Sequence, residues 1–556
     1  TSLAASTLGG TLVVTSGGAI TQTGDLSVTG AATFITTTDG SNIILDSSGN
    51  AFSSQVSLLA DTAGNETFGN ITFVDSAEIS LDASATGDGD LFIDASTDGA
   101  VGGILNLTAT TGDITQNIAL AVTGTSSFTV SNTNAITLTN TSNDFTSTVT
   151  LSSGTGAVQL TDSTDTILAA STLGGNLTVL SSGAITQTGA LSVTGTSDFT
   201  VSGSNAMTLT QANVFTGAVT LSSGTGAAQI TDSGTLILAA STLGGDLTAS
   251  ADNGLTINGD LTTTGDMTLE GDANNSSDGT DTISLASAIT LDSGGNMTLD
   301  ATTSGISATG SATLKAKGDL NINNDFISLG RLTLTADSDA SGVGDFKLAS
   351  GATITTNNND LDLAGANIDI SSGTADAGSG AATFSITQSI TADGTNLANL
   401  TAGSLEINVA GDFIVDGVTS SELTNVSGLL TLKSTGDITF QNNASSHDGA
   451  VTVLADDDIN VKVDVTSDGD FTATADNDDD DIGDFILDTG ATVTSSNGNI
   501  DITAVSITEN GTLDASGTIT RTEATSTAST EEAEDVDQGT SSTFVQDFTS
   551  PAESGC

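Results

Sequence analysis

Short extended segments recur along the whole chain, with apolar residues at every second position. In Asn42–Asp46 (NIILD), Asn70–Val74 (NITFV) and Glu78–Asp82 (EISLD), apolar side chains alternate with Thr, Ser and other small polar ones. This period of two predicts strands with one buried face. Gly, Asn, Asp and Ser separate the segments, and these residues favour turns. Runs with apolar residues at i, i+3, i+4 and i+7 are missing, so the pattern predicts an all-β chain.

Longer sequence repeats indicate how these strands are arranged. The word LAASTLGG begins at Leu3, Leu168 and Leu238, so its copies are 165 and 70 residues apart. A coil of about 23–24 residues fits both offsets as whole numbers of coils, about seven and about three. Identical residues would then lie above one another on one face. Three short strands per coil and about 22 coils predict a parallel β-helix, or β-solenoid, on the order of 105 Å long.

The strand pattern is continuous over residues 1–520, which we interpret as one solenoid domain. Residues 1–250 are strongly repetitive, whereas residues 251–520 are diverged and more acidic. Residues 521–556 form an acidic tail or linker rich in Ser, Thr and Glu. Thr543–Phe548 (TFVQDF) in this tail could add as a strand to an open edge of a neighbour, or the tail could be unattached.

The net charge of −61, from 68 acidic and 7 basic residues, limits the partners. Nucleic acid and anionic membrane surfaces are unfavourable partners, because proteins bind both through Lys and Arg. No stretch approaches the roughly 18 apolar residues of a transmembrane helix. A charge of this size is screened at ionic strengths above about 0.1 M, which suits a saline exterior. The chain begins at Thr1 within a repeat, which suggests that an export signal has been removed.

Cysteine and histidine each occur once in the chain. Cys556 is the last residue, and outside the cell an odd cysteine suggests an intermolecular disulfide or an anchor; a cloning remnant explains it equally well. His447 lies in the segment NNASSHDG, which is typical of an exposed turn. Neither residue has neighbours in sequence that would complete a catalytic or metal-binding set, so we predict no catalytic residues.

The composition argues against an enzyme. Many β-helical proteins are polysaccharide lyases or hydrolases, but lyases commonly need basic residues, and here the seven Lys and Arg are thinly spread. A hydrolase needs only two carboxylates, which this chain could supply. Trp and Tyr, which stack against sugars, are both absent. A polysaccharide-active enzyme therefore remains a remote alternative.

Clusters of oxygen-bearing side chains suggest calcium as a ligand. Calcium binds six to eight oxygen atoms, and Asp and Asn on turns can supply them. The alternative is that these clusters are solvated acidic turns, because the tandem G-G-x-G-x-D repeat of calcium-filled β-rolls is missing. The candidate ligands are Asp88, Asp90, Asp456, Asp457, Asp458, Asp478, Asp479, Asp480 and Asp481. We expect no other cofactor.

The repeats at Gly17–Phe34 (GGAITQTGDLSVTGAATF) and Gly183–Phe199 (GAITQTGALSVTGTSDF) resemble those of filamentous-haemagglutinin-like exoproteins and large bacterial surface adhesins. The resemblance covers about residues 1–520. It implies a right-handed parallel β-helix at the cell surface, with roles in adhesion, biofilm formation or surface fibres. The chain departs from the family pattern because it has no recognisable N-terminal secretion domain and no Arg-Gly-Asp motif.

These observations lead to a structural hypothesis. We expect an extracellular or cell-surface protein that forms a filament, sheath or surface layer by end-to-end association of solenoid rods. The alternative is an adhesin that binds glycans or neighbouring cells. The expected partners are therefore other copies of the chain, with glycans or other cell-surface components as the second choice.

Overall fold

The computed structural model describes residues 1–60, 69–81, 90–93, 100–101, 103–276, 281–302 and 305–523, and for 90–93 and 100–101 it describes the strand path alone. Over these ranges the protein is a parallel β-solenoid of about 22 turns, which confirms the predicted fold class. Their only helical element is one 3₁₀ turn, Leu397–Asn399. No helix in this part of the chain combines the length and apolar character needed to cross a bilayer. Asp88, Cys556 and the tail from residue 524 lie outside the described residues.

All the strands of the described residues belong to two long and five short sheets. The first long sheet contains Leu12–Ser16, Ala32–Thr36, Val56–Leu59, Ile79–Leu81, Asp90–Ile93, Ile114–Gln116, Ile136–Leu138, Val158–Asp162, Leu177–Ser181, Ser197–Val201, Val219–Ser223, Leu236–Leu238, Ser241–Leu243, Leu255–Ile257, Leu261–Thr263, Ile283–Leu285, Ile289–Ser293, Ile306–Ala308, Ala312–Ala316, Phe326–Ser328, Leu332–Thr335, Thr353–Thr355, Leu361–Gly365, Thr374–Asp376, Ala381–Ile386, Leu400–Thr401, Ser404–Val409, Leu430–Ser434, Val451–Ala455, Phe471–Thr474, Ile500–Ala504 and Ile519–Glu523. The second contains Ile43–Leu45, Ile71–Asp75, Leu105–Ala109, Ser126–Val130, Thr148–Ser153, Thr166–Leu168, Ser171–Leu173, Ile185–Gln187, Leu191–Val193, Met207–Phe215, Ala228–Asp232, Leu247–Ala251, Met267–Glu270, Met297–Asp300, Leu320–Ile322, Asp345–Leu348 and Asn367–Asp369.

The five short sheets complete the turns at places that the long sheets leave uncovered. They contain, in order, Ser2–Leu3 and Thr21–Gln22; Ser6–Leu8, Leu26–Val28 and Ala51–Phe52; Ala100–Val101, Ala121–Val122 and Asp144–Phe145; Ile390–Ala392, Phe413–Val415, Ile438–Phe440, Ile459–Val461, Asp484–Leu487 and Ser506–Glu509; Ser445–His447, Val465–Ser467, Thr492–Ser495 and Thr512–Ala515. Strands of successive turns pair in parallel, with equivalent residues in register.

The repeated words do not all lie on one face of the solenoid. Leu168 pairs with Val149 and Gln187, in the second long sheet. Leu238 pairs with Val219 and Ile257, in the first long sheet. The prediction that the 70-residue offset is a whole number of turns is therefore wrong, although both leucines are fully buried. Every face of the solenoid buries alternate residues, so the same repeated sequence can occupy more than one face.

Inward-facing residues form one hydrophobic cluster that extends from Val14 to Ala504. Strands such as Leu105–Ala109 and Val451–Ala455 bury every second residue and leave the residues between them half-buried. No turn can cover its own apolar edge, so each turn is stabilised by the turns that stack on it.

The buried side-chain amide of Asn143 forms hydrogen bonds to neighbouring turns, and we call this arrangement the brace. The Asn143 Oδ1 accepts hydrogen bonds from the Leu120 N–H, at 2.9 Å, and from the Gln116 Nε2, at 2.8 Å. Its Nδ2 donates to the carbonyl oxygens of Leu138, at 3.3 Å, and Thr161, at 3.0 Å. Both donors and the acceptor of the amide are therefore used inside the core, where an unpaired polar group would be costly.

The same brace occurs at two other turns. Asn50 and Asn213 make equivalent bonds to Gln22 and Gln187 and to backbone groups of three successive turns. Two residues after each buried Asn lies a phenylalanine that packs edge-on against a phenylalanine of the same turn. The ring pairs are Phe34 with Phe52, Phe128 with Phe145, and Phe199 with Phe215.

The stacking is interrupted between residues 367 and 447 at two of the three strand positions of the turn. Among the described strands, Asn367–Asp369 pairs only with Asp345–Leu348, and the next strand at that position, Ile390–Ala392, starts a new sheet. At a second position a non-strand segment at 417–428 replaces the strand, and Ser445–His447 starts another sheet. The third strand position stays paired throughout.

We expect Asn143→Asp to destabilise the solenoid strongly. The carboxylate has almost the same shape, but it cannot donate to the carbonyl oxygens of Leu138 and Thr161 and would bury a charge, at a cost of about 3–5 kcal/mol. Thermal melting followed by circular dichroism measures the loss. Asn140→Asp is the matched control, because the half-buried Asn140 side chain accepts from the Ser142 N–H, which a carboxylate also does. The backbone N–H of Asn140, which donates to the Gln116 Oε1, is unchanged by the substitution. Equal midpoints for the two variants would contradict the brace.

Candidate cation-binding surface

Successive turns stack their Asp and Asn side chains at the corner that precedes a strand. The Asp246 Oδ1 accepts the Asp266 N–H at 2.9 Å, and the Asp266 Oδ1 accepts the Asn296 N–H at 2.7 Å. The series continues through Asp319 to Asp345, at 2.9 Å for each bond. Each side chain therefore satisfies a backbone donor of the next turn. The result is a column of acidic and amide groups with the strand spacing of about 4.8 Å.

A glycine precedes each residue of this column because the stacked side chain needs its space. A Cβ on Gly265 would lie 1.9 Å from the Asp246 Oδ1, and a Cβ on Gly295 would lie 2.2 Å from the Asp266 Oδ1. Neither contact is sterically allowed. The motif Gly-Asx-apolar-x-apolar, as at Gly265–Leu269 and Gly344–Leu348, is thus the sequence signal of a stacked corner.

Lys347 places a positive charge between two carboxylates of this column. The Lys347 Nζ lies 2.6 Å from the Asp319 Oδ2 and 3.4 Å from the Asp345 Oδ2, so one ammonium group bridges carboxylates of successive turns. Partial burial would raise the pKa of Asp319, but the Asp345 N–H and the Lys347 ammonium outweigh this effect and lower it. The hydrogen bond to Asp319 raises the pKa of Lys347.

A second column has the carboxylates without the lysine. The N–H groups of Asp437, Asp458 and Asp484 donate to the Oδ1 atoms of Asp412, Asp437 and Asp458, at 3.3, 3.0 and 2.8 Å. In this column the position of Lys347 is occupied by neutral residues. They are Ile414, Thr439, Asn460 and Ile486, which pair in register.

An acidic loop lies beside this second column. Asp476, Asp478 and Asp480 each offer a carboxylate oxygen, and the three oxygens lie within 4.8 Å of one another. The Asn477 Nδ2 donates to the Asp456 Oδ1 at 3.0 Å, which joins the loop to the turn of the preceding coil. The loop and the column together bring carboxylates of four successive turns to one surface, which we call the acidic surface.

Mutual repulsion is evident at the acidic surface. Loss of water contact raises the pKa of Asp457, and the charges of Asp437 and Asp480 raise it further. Loss of water contact and the charges of Asp480 and Asp456 likewise raise the pKa of Asp478. These carboxylates therefore resist ionising together, and a bound cation would relieve that repulsion.

The structure brings together most of the predicted calcium ligands. Asp456, Asp457 and Asp458 lie on the turn beside the loop that carries Asp478 and Asp480. Asp479 and Asp481 are exposed on the same loop, in left-handed backbone conformations, and are not among the three clustered carboxylates. The Asp90 side chain, like Asp88, lies outside the described residues. Calcium at this surface remains a prediction.

Sequence reasoning missed four members of the acidic surface, of which Asp412 and Asp484 belong to the second column. Asp476 belongs to the clustered carboxylates, and its Oδ1 also accepts the Asp480 N–H at 2.8 Å. The alternation D-x-D-x-D at residues 476–480 would have indicated it. Asp437 belongs to the stacked corner, and the Gly-Asp motif at Gly436 would have indicated it.

The expectation that His447 lies on an exposed turn is wrong. The residue is only 3% exposed, at the end of the strand Ser445–His447, and its Nε2 lies 2.8 Å from the Gly428 carbonyl oxygen. Ser445 and His447 take the two inward positions of a three-residue strand, and the polar segment around them hid this alternation.

Buried carboxylates also occur at three equivalent corners. The Asp162 Oδ1 accepts the N–H groups of Phe145, at 3.4 Å, and Thr164, at 3.1 Å. Asp75 and Asp232 make the corresponding bonds at their own turns, and all three side chains are at most 2% exposed. Burial raises the pKa of each, although the backbone N–H groups partly offset this effect.

Part of the chain is similar to a known repeat family. Residues 1–59, 68–152 and 155–222 match the family model for "Repeats of unknown function (DUF5649)". Each matched range contains the Gln and the Asn of one brace and one phenylalanine pair. No curated protein and no solved structure matches the chain. The comparisons therefore support a repeat protein and name no activity.

We expect Asp162→Asn to raise the melting midpoint at pH 7. The folded-state pKa of Asp162 lies above the ordinary value of 3.8, so the charged carboxylate destabilises the fold at neutral pH. The advantage of the variant should shrink as the pH falls through the folded-state pKa and disappear below 3.8. Melting curves at pH 7, 5 and 3.5 measure it. The exposed Asp198→Asn loses the same charge and serves as the control. A pH-independent gap between the two variants would argue against burial as the cause.

We expect millimolar calcium to stabilise the chain through the acidic surface. Sites of this kind in extracellular modules bind with dissociation constants of about 10⁻⁴–10⁻³ M, and a tenfold excess of ion over that constant contributes about 1.4 kcal/mol. Melting with 10 mM calcium and with a chelator measures the effect. The double variant Asp478→Asn/Asp480→Asn should lose most of it, and Asp198→Asn/Asp292→Asn should keep it. An equal response of both double variants would mean general screening of charge.

Proposed function

We propose that this protein is a structural rod of an extracellular filament, sheath or cell-surface layer. The observation that carries the proposal is the parallel stacking of about 22 turns around one core. Inward positions fill the core, and outward positions are mostly small polar or acidic residues. Such a chain forms a long and stiff molecule, as expected for a scaffold.

Strands of successive turns pair in parallel and in register, so the edge of any such stack offers unpaired backbone groups to a further turn. A further solenoid that stacked on such an edge would continue the same parallel register, which is a head-to-tail contact that produces open fibres.

The net charge of −61 opposes this association and makes it dependent on salt. At about 0.15 M ionic strength the Debye length falls to about 8 Å, less than two strand spacings. Repulsion between two rods is then confined to their nearest turns. We therefore expect association in saline media and single rods at low ionic strength. The same reasoning favours an exterior location.

We expect electron micrographs to show single rods about 105 Å long at 10 mM salt and fibres several times longer at 0.5 M salt with 10 mM calcium. Light scattering of the same samples gives the mass per particle. Single rods in every buffer would contradict the filament. If such rods labelled cell surfaces or a glycan array, the result would favour an adhesin instead.

A further inference from the structure

A cavity enters the core where the strand position of Asn367–Asp369 is interrupted. Its volume is about 60 Å³. One water molecule needs roughly 10–15 Å³, and an apolar cavity of roughly 150 Å³ in another protein binds benzene. The size of this cavity therefore suits a short alkyl chain and excludes an aromatic ring.

The walls of the cavity are hydrocarbon. They are formed mainly by side chains that are at most 7% exposed, namely Ile368, Phe384, Ile386, Ile407 and Phe413. Such walls favour an apolar occupant over water. Thr391 and Asp393 also line the cavity and are exposed, so the cavity opens to solvent beside them. We call this opening the mouth.

The irregular segment at 393–399 keeps the cavity open. Side chains, and not a strand, connect this segment to the preceding turn. The Asn396 Oδ1 accepts the Ile370 N–H at 3.0 Å, and the Asn399 Nδ2 donates to the oxygens of Ile370, at 3.2 Å, and Ser371, at 3.0 Å. A paired strand would place its inward side chains about 4.8 Å from those of the preceding turn and fill the space. The cavity is thus a consequence of the interrupted stacking.

The mouth of the cavity is negatively charged. Hydrogen bonds from the Thr395 hydroxyl and N–H lower the pKa of Asp393, which is therefore a carboxylate at neutral pH. The carboxyl group of Glu422 is adjacent, because a Cβ added to Gly394 of the cavity wall would lie 2.8 Å from the Glu422 Cδ. None of the residues that line the cavity is basic. The mouth attracts a cation, whereas the interior accepts hydrocarbon.

We propose that this cavity binds a small aliphatic ammonium ion, such as propylammonium, with its alkyl chain inside and its ammonium group at the mouth beside Asp393 and Glu422. The orientation follows from the cost of desolvation. The ammonium group would lose its water without gaining a partner inside the apolar cavity, so it stays at the mouth. The alkyl chain gains by leaving water. The inference does not depend on filament formation.

The test is a titration of protein labelled at the isoleucine methyl groups, followed by nuclear magnetic resonance at low salt. Propylammonium should shift the signals of Ile386 and Ile407 and leave that of the distant Ile230 unchanged. Affinity should increase about fourfold for each methylene from methylammonium to propylammonium. Propanol should bind about two- to fivefold more weakly than propylammonium, because it lacks the charge. Propionate and benzylammonium should produce no shift, because the first is repelled and the second is too large.

A double variant separates the charge from the cavity. Asp393→Asn/Glu422→Gln keeps the shape of both side chains and should bind propylammonium and propanol equally. Asp198→Asn/Asp292→Asn removes two charges elsewhere and should keep the preference for propylammonium. Equal binding along the alkyl series, or shifts with propionate as large as those with propylammonium, would overturn the proposal. An unchanged preference for propylammonium in Asp393→Asn/Glu422→Gln would also overturn it, because the attraction would then come from the net charge of the rod.

Discussion

Every feature of this molecule depends on stacking in register at about 4.8 Å. Once the backbone groups of one turn bond to the next, a side chain at a given position has the equivalent side chain of the neighbouring turns above and below it. Apolar residues gain from this arrangement, because the neighbours cover what one turn leaves open. Glycine is required wherever a stacked side chain occupies the space of a Cβ, as at Gly265 above Asp246. Composition and fold thus follow from the same repeat distance.

The stacking has the opposite effect on charge. An aspartate at a corner satisfies a backbone N–H of the next turn, but it also brings a like charge one strand spacing away. This proximity of like charges has three different outcomes along the chain. Asn296 replaces an aspartate with a neutral acceptor, Lys347 bridges two carboxylates, and at Asp457 and Asp478 loss of water contact together with the neighbouring charges raises the pKa. A bound external cation would reduce the repulsion in a fourth way, and for this reason we predict calcium at the acidic surface and not at the column that has its own lysine.

The sequence pattern predicted the fold well, because a parallel solenoid depends on alternation and turn residues, both of which are local. It predicted the face of a given repeat poorly. Strands such as Val219–Ser223 turn a corner and pair with two strands of the next turn, through Leu238 and Leu243, so strand number and face lose their simple relation. The sequence predicted the members of the acidic surface only in part, because Asp437 lies near Asp457 through the stacking of turns, across 20 positions of sequence. His447 was misplaced because a three-residue strand gives too short an alternation to recognise.

The interruption at 367–447 shows how such a rod can contain a local break in its sheets without losing its overall fold. In a solenoid the stability is roughly the sum of contacts between neighbouring turns, so a weak contact affects its own turns and leaves distant ones unchanged. Two strand positions are interrupted here, and the third keeps the turns connected.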